Sequence, residues 1–365
     1  MSNQIKVYAT DDIMQKDTPA TAGSKILEGF KSPFDAAVVK KLNEAGLKIE
    51  KSLTMDEFGI DDFFDDSFAE EETLAAVSEA AADENICVLS NDVFGKVRRQ
   101  AVLHGVSYIK PTYGTVSRYG LIPAVSSMDQ IGVVCADLQK GFEVLSKIYG
   151  ADGLKTPDFR IPSPCQMCAK GVCDVRVTIP VNVWDKTNEN IVSKLKDSFE
   201  TSEINLEHFE VYHQVLYILS SAEISNNTNR YDGIKFGYRS PNSNSLNDLY
   251  FNTRSEGFTL NTKLALVMGS SVLSKENYAD YYEKAMKIRR LIKDSVKFDS
   301  YDVIALPVEM KEKTKYEQSA LYALTALTGL PSITVPYGDS GIQFVANTGR
   351  EDVLVKLAAR LNSPQ

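Results

Sequence analysis

The stretch Leu89–Gly114 reads LSNDVFGKVRRQAVLHGVSYIKPTYG, and from Tyr119 to Gly132 the chain resumes as YGLIPAVSSMDQIG. Its centre is Asp92-Val93-Phe94-Gly95-Lys96-Val97-Arg98. A bulky residue such as Phe94 cannot take a positive φ cheaply, so it constrains whatever turn this run forms. The chain carries no phosphate-binding loop, dinucleotide fingerprint or zinc-protease helix, so none of those motifs assigns the segment a chemistry.

Working outward, the chain has 365 residues, 43% of them hydrophobic, and a net charge of −9. That length allows a large core, and with no internal repeat and no low-complexity linker a single domain over residues 1–365 is expected. An acidic total argues against direct binding to nucleic acid or an anionic membrane, because phosphate contacts need clustered Lys and Arg. No run of about 18 apolar residues occurs, and MSNQIKVYATDD at the start is unlike a signal peptide. Five cysteines (Cys87, Cys135, Cys165, Cys168 and Cys173) do not suggest a disulfide scaffold in a chain this long. A cytoplasmic, reduced protein with no cofactor and no membrane span is the expectation.

The pattern predicts a strand over residues 5–8. A helix is predicted to open at Ser32 as N-cap with Pro33 at its first position, run through Phe34, Val38, Val39 and Leu42, and stop at Gly46. A strand follows from Ile49 to Leu53. This βαβ-like rhythm favours a largely parallel or mixed sheet covered by helices. Residues 55–83, MDEFGIDDFFDDSFAEEETLAAVSEAAAD, read as a solvated loop and an Ala-rich helix, or as an acidic-aromatic docking surface. Asp137 caps a helix that Gly150 stops, and residues 151–174 form a loop. A strand is expected from Val175 to Pro180, and helices over 211–229 and 277–296. Strand cores are expected at Val303–Leu306, Ile333–Val335 and Ile342–Ala346, and a last helix at Glu351–Leu361.

The quoted stretch resembles the core of the amidase signature family, in particular the A subunits of the glutamyl-tRNA(Gln) and aspartyl-tRNA(Asn) amidotransferases. The resemblance covers most of the chain. YIKPTYGTVSRYGLIPAVSSMDQIG is its most specific part. SKILEGFKSPFDAAVVKKLNEAGLKIEKSLTMDEFG, SSAEISNNTNRYDGIKFGYRS, DLYFNTRSEGF, YYEKAMKIRRLIK and TALTGLPSITVP have counterparts in the same order. It implies an α/β amidase signature fold: a large mixed, mostly parallel β-sheet covered by helices on both faces, here without the helical segment that usually precedes the first strand.

The departures fall on the chemistry. The family uses a Lys as base, a cis-Ser as relay and a Ser as nucleophile, because an unactivated Ser is a poor nucleophile. The Lys belongs to a motif of the form Ala-Ile-Lys-Asp-Asn; here Ala9-Thr10-Asp11-Asp12 stands there, so Thr10 occupies the place of the base. The Gly-Ser loop that carries the cis-Ser has no counterpart, and the acidic stretch takes its place in a shorter connection. The nucleophile belongs to Asp-Thr-Gly-Gly-Ser-Ile-Arg, and Lys96 stands at the Ser. The oxyanion hole consists of backbone N–H groups in the glycine turn, where Phe94 replaces a glycine. After Glu256-Gly257-Phe258 the family carries arginines, and Leu264 and Ala265 stand at those places.

The expected remnant cleft therefore consists of Asp11, Asp92, Phe94, Gly95, Lys96 and Arg98, with no catalytic residue assigned. Lys96 has three readings: a structural cation paired with Asp11, Asp12 or Asp92, a solvent-exposed lysine, or a new base or nucleophile, since a desolvated Lys lowers its pKa. Cys165, Cys168 and Cys173 are spaced as thiolate zinc ligands can be, but no fourth ligand accompanies them. Ser126 and Ser127 match a structural Ser-Ser of the family, and Arg98, Lys110, Pro111, Tyr113, Ser117, Arg118 and Asp129 match its scaffold. The expected function is a non-catalytic homologue that binds a protein partner (an amidotransferase B- or C-like subunit, or another protein) or a small ligand. The alternative is an amidase or glutamine-dependent amidotransferase subunit with a rearranged active site.

Overall fold

The computed structural model describes residues 4–60, 73–151, 175–310, 313–338 and 340–361. Among the described residues ten strands form one sheet: β1 (Lys6–Thr10), β2 (Ile49–Leu53), β3 (Ile86–Asn91), β4 (Ser107–Lys110), β5 (Ile131–Cys135), β6 (Val177–Pro180), β7 (Thr201–Ile204), β8 (Val303–Pro307), β9 (Ser332–Tyr337) and β10 (Ser340–Ala346), in the order β2-β1-β3-β5-β4-β9-β10-β8-β6-β7. The described helices are α1 (Ala37–Glu44), α2 (Ala75–Ala82), α3 (Lys96–Leu103), α4 (Leu138–Ile148), α5 (Glu189–Ser198), α6 (Tyr212–Asn227), α7 (Leu246–Gly257), α8 (Leu260–Val272), α9 (Lys284–Ser295), α10 (Lys315–Gln318), α11 (Ala320–Thr328) and α12 (Glu351–Leu361).

The sheet is large and mixed, as the resemblance implies, but it is not mostly parallel. Among the described strands four pairings are parallel and five antiparallel. The parallel pairings lie in two outer blocks, β2-β1-β3 and β8-β6-β7. There α1 lies between β1 and β2, and α5 between β6 and β7, and a crossover of that kind is what parallel neighbours need. In the antiparallel centre β4 follows directly into β5, and β9 into β10 through a tight turn at Gly338, as antiparallel neighbours can. Sequence patterning sees the helices and the apolar runs, but not the direction in which a strand enters the sheet.

Helices cover both faces. On one, Val38 and Leu42 of α1, Leu145 of α4 and Leu354 of α12 pack with Ile109, Val133 and Phe344 of the sheet. On the other, Tyr212 and Leu216 of α6, Ala265 of α8 and Leu324 of α11 pack with Ile304, Leu306 and Val345. Alternation along the strands distributes their side chains between the two cores.

The expected elements at Ile49–Leu53 and Glu351–Leu361 match, as does the Asp137 cap, whose side chain accepts from Gln139 N at 2.8 Å. The predicted start at Ser32 is corrected: α1 begins at Ala37. Ser32 Oγ donates instead to Phe34 O at 2.6 Å, and Ala36 N and Ala37 N are taken by Met14 O and Tyr119 O. Tertiary contacts satisfy the amides that a cap would have served. Residues 152–174 of the expected loop and residues 61–72 of the acidic stretch lie outside the described residues.

Candidate functional site

The site is built where β1 and β3 end side by side. Thr10, the last residue of β1, is buried, and its hydroxyl donates to Asp12 Oδ1 at 2.5 Å. Burial pushes the Asp12 carboxyl up to about 7; the carboxylates of Asp11 and Asp129 push the same way, and the Thr10 hydrogen bond opposes them. Asp11 is half-buried, accepts from Thr21 Oγ1, and leaves Oδ1 without a hydrogen bond among the described residues.

From β3 the chain turns through Asp92-Val93-Phe94-Gly95 into α3. Asp92 organises the turn: Oδ1 accepts from Gly95 N at 2.8 Å, and Oδ2 accepts from Arg98 N at 3.0 Å and Arg98 Nε at 2.8 Å. Arg98 is 0% exposed. Its Nη1 donates to Thr325 Oγ1 at 2.7 Å and Gln343 Oε1 at 2.9 Å, and Nη2 donates to Asp92 O at 3.2 Å and Val93 O at 3.5 Å. Every guanidinium nitrogen thus has an acceptor, which a buried Arg requires. The Tyr322 ring lies 4.8 Å from its Cζ.

Only Gly95 in this turn takes a left-handed conformation, with φ 96°. A Cβ on it would meet Tyr322 Cγ at 2.1 Å. Phe94 avoids positive φ, sinks to 3% exposure, and stacks on Tyr217 at 5.7 Å. Tyr217 in turn meets Tyr316 at 4.6 Å, and Tyr316 meets His213 edge-on at 4.8 Å. A continuous aromatic wall therefore begins at the turn.

Lys96 is the first residue of α3, where the helix dipole disfavours a cation. Asp56 Oδ2 sits 2.6 Å from its Nζ, with the Lys side chain 15% exposed and the Asp side chain 40% exposed. The structural-cation reading named Asp11, Asp12 or Asp92 as the partner and did not consider Asp56. The described ion pair is with Asp56, whereas Asp92 is engaged by Arg98, and Asp12 by Thr10. Sequence reading missed Asp56 because it belongs to a stretch read as a solvated loop. The start of that stretch is in fact built in. Glu57 is buried and accepts from Ser24 Oγ at 2.5 Å, from Thr259 N at 2.9 Å, from Thr259 Oγ1 at 2.5 Å and from Thr262 Oγ1. Phe58 stacks on Tyr231 at 5.6 Å.

The structure therefore brings Thr10, Asp56, Asp92 and Lys96 together around one cavity, with Ser90 and Asn91 also in its wall. The cavity measures about 30 Å³, the room of one water molecule. Phe94 and Arg98 lie behind it in the core. Lys110, fully buried at the end of β4, is pushed down to about 7 by burial; the Arg98 guanidinium adds to this, and Asp92 and Asp129 oppose it. Ser127 Oγ accepts from Arg289 at 2.9 Å and Ser126 Oγ from Asn227 at 3.1 Å, as scaffold residues would. Ala265 is buried and Leu264 half-buried on α8, where the arginines of the resembling pattern would stand. Cys165, Cys168 and Cys173 lie outside the described residues. No helix among the described residues is long and apolar enough to cross a membrane.

A family model described as Amidase matches residues 7–65 and 78–355. The chain is 33% identical to the A subunit of the glutamyl-tRNA(Gln) amidotransferase from Listeria monocytogenes serotype 4b over 403 residues, covering 98% of this chain and 83% of the relative. It is 33% identical to the corresponding A subunit from Bacillus pumilus, over 95% of this chain and 80% of the relative. Among solved structures, the glutamyl-tRNA(Gln) amidotransferase A subunit from Thermotoga maritima superposes with a TM-score of 0.70 at 24% identity, covering 99% of this chain and 83% of that one. The peptide amidase of Stenotrophomonas maltophilia gives 0.75 at 20% identity over 98% and 81%. Both structural likenesses bear on the fold.

Proposed function

The chain belongs to the amidase family, and from that membership we propose that it is a non-catalytic member that works by binding. The observation that carries this reading is the cavity where β1 and β3 end. Thr10 and Lys96 stand at the family's base and nucleophile positions, the ammonium is engaged by Asp56, and the space between them holds about one water. An amide substrate needs a nucleophile, a relay and oxyanion donors about 3 Å from the developing charge. Phe94 turns its ring into the aromatic core and keeps its backbone N–H, so the reading rests on the nucleophile and base positions rather than on the turn's donors.

A protein partner, such as an amidotransferase B- or C-like subunit, fits the same reading. The face of α7 and α8 exposes Phe251 at 73%, Leu260 at 69% and Val267 at 69%. A cluster of exposed apolar groups of this kind favours an interaction surface. The net charge of −9 argues against nucleic acid as a direct partner. A cytoplasmic location belongs to the same proposal, because Cys87 and Cys135 are buried free thiols on paired strands.

The test is ammonia release from glutamine, asparagine and simple amides by the purified chain. No release above the uncatalysed rate is expected. Hydrolysis by the wild type that disappears in Lys96→Ala would overturn the proposal in favour of a rearranged amidase. Co-purification from the native cells tests the partner, and recovery of the chain alone would count against it.

A further inference from the structure

A second, far larger cavity lies elsewhere. It encloses about 560 Å³ at the carboxyl ends of the parallel strands β6, β7 and β8. Ligands favour that edge of an α/β sheet, and the volume falls within the range of small-molecule pockets. Its wall comes from the segment after β6 (Trp184 and Asp185), the segment after β7 that leads into α6 (Phe209 and Glu210), and Lys313 and Glu317 after β8. His213, the end of the aromatic wall that starts at Phe94, faces it. The cavity is thus separated from the Thr10–Lys96 site by packed rings.

The chemistry of the wall is specific. Trp184 and Phe209 line it, and the indole N–H is already committed to Ala305 O at 3.2 Å. Four charged residues are found among its described lining: Asp185, Glu210, Lys313 and Glu317. Lys313 and Glu317 lie 3.6 Å apart and offset one another. Burial lowers the pKa of His213, which keeps the imidazole neutral at pH 7. Among the described lining residues, Asp185 and Glu210 have no cation paired with them. Asp185 Oδ1 accepts from Thr187 N, Thr187 Oγ1 and Asn188 Nδ2, whereas its Oδ2 is buried and has no hydrogen-bond partner among the described residues. That oxygen is closed off from the cavity, so a cation in the cavity meets the Asp185 charge through space rather than at Oδ2.

We propose that this cavity binds a small organic ammonium compound, its cation held by Asp185 and Glu210 and its apolar body lying against Trp184 and Phe209. Aromatic faces together with carboxylates are the usual recognition chemistry of organic cations. This inference rests on the binding reading above and supplies the class of ligand.

Trp184 is the chain's single tryptophan, so intrinsic fluorescence reports on this cavity alone. The full chain is titrated with phenethylamine, followed by fluorescence and by calorimetry, with phenylacetate and 2-phenylethanol as an anion and a neutral molecule of the same body. A saturable response to phenethylamine is expected, at least tenfold weaker for either control. Glu210→Gln, at an exposed position, should weaken phenethylamine binding at least threefold. Asp185→Asn, which keeps the Oδ1 acceptor, should weaken it at least tenfold. No saturable response, an equal response to phenylacetate, or undiminished binding in both variants would overturn the proposal. Amine binding by a chain that also hydrolyses amides would leave this inference standing and sink the non-catalytic reading. A chain that neither hydrolyses amides nor binds amines would do the reverse.

Discussion

Asp12→Asn tests whether the charge balance beneath the Thr10–Lys96 cavity is as the structure implies. Asp12 is 2% exposed, and burial lifts its carboxyl from 3.8 to about 7. A group raised on folding contributes stability that is present below its unfolded pKa and is lost as pH rises through the folded value. The native state holds a proton there that the unfolded chain releases, so the window runs from about pH 4 to pH 7. At 1.36 kcal/mol per pH unit the full span is worth ~4 kcal/mol. Asparagine cannot ionise, and its amide oxygen can still accept from the Thr10 hydroxyl. The assay is urea unfolding of both proteins at about pH 4.5, 6 and 8, which brackets that window. The free energy of Asp12→Asn relative to wild type should rise by roughly 2–4 kcal/mol across that series. Lys110 titrates in both proteins, so its opposite contribution, stability gained as pH rises from about 7 toward 10.5, cancels in the difference. A difference that stays flat with pH, or one in which the variant is progressively destabilised toward the alkaline end, would refute the reasoning.

Arg98→Lys should be severe, because a lysine cannot reproduce the fork that reaches Asp92, Thr325 and Gln343. It would leave Asp92 poorly paired in the core, and a loss of about 3–5 kcal/mol is expected in chemical denaturation. Gly95→Ala should cost about 3 kcal/mol or more, read as a fall in thermal midpoint. The new methyl has to take φ near 96° and displace the Tyr322 ring.

The family frame was legible because its markers are local. Gly95 has to be a glycine where the turn goes left-handed, Asp137 caps the helix that follows it, and apolar runs such as Val303–Leu306 make buried strands wherever they are placed. The proposed loss of the family's Lys and Ser rests on the residues at Thr10 and Lys96, because residue identity at a motif position is a one-dimensional fact. Strand direction was not legible. The quoted stretch looks the same whether β4 and β5 lie parallel or antiparallel, and the choice depends on what crosses between them.

What the sequence by itself determined is the membership and which residue types stand along its motifs. What only the tertiary structure decided is what surrounds those positions. Lys96 meets Asp56 from a distant stretch of the chain, Arg98 draws acceptors from Thr325 and Gln343, and Phe94 closes against Tyr217. The larger cavity, too, exists only because the ends of β6, β7 and β8 converge. Each is a contact between segments distant in sequence. Burial and pairing energies there depend on where folding brings the groups, and no local pattern encodes that position.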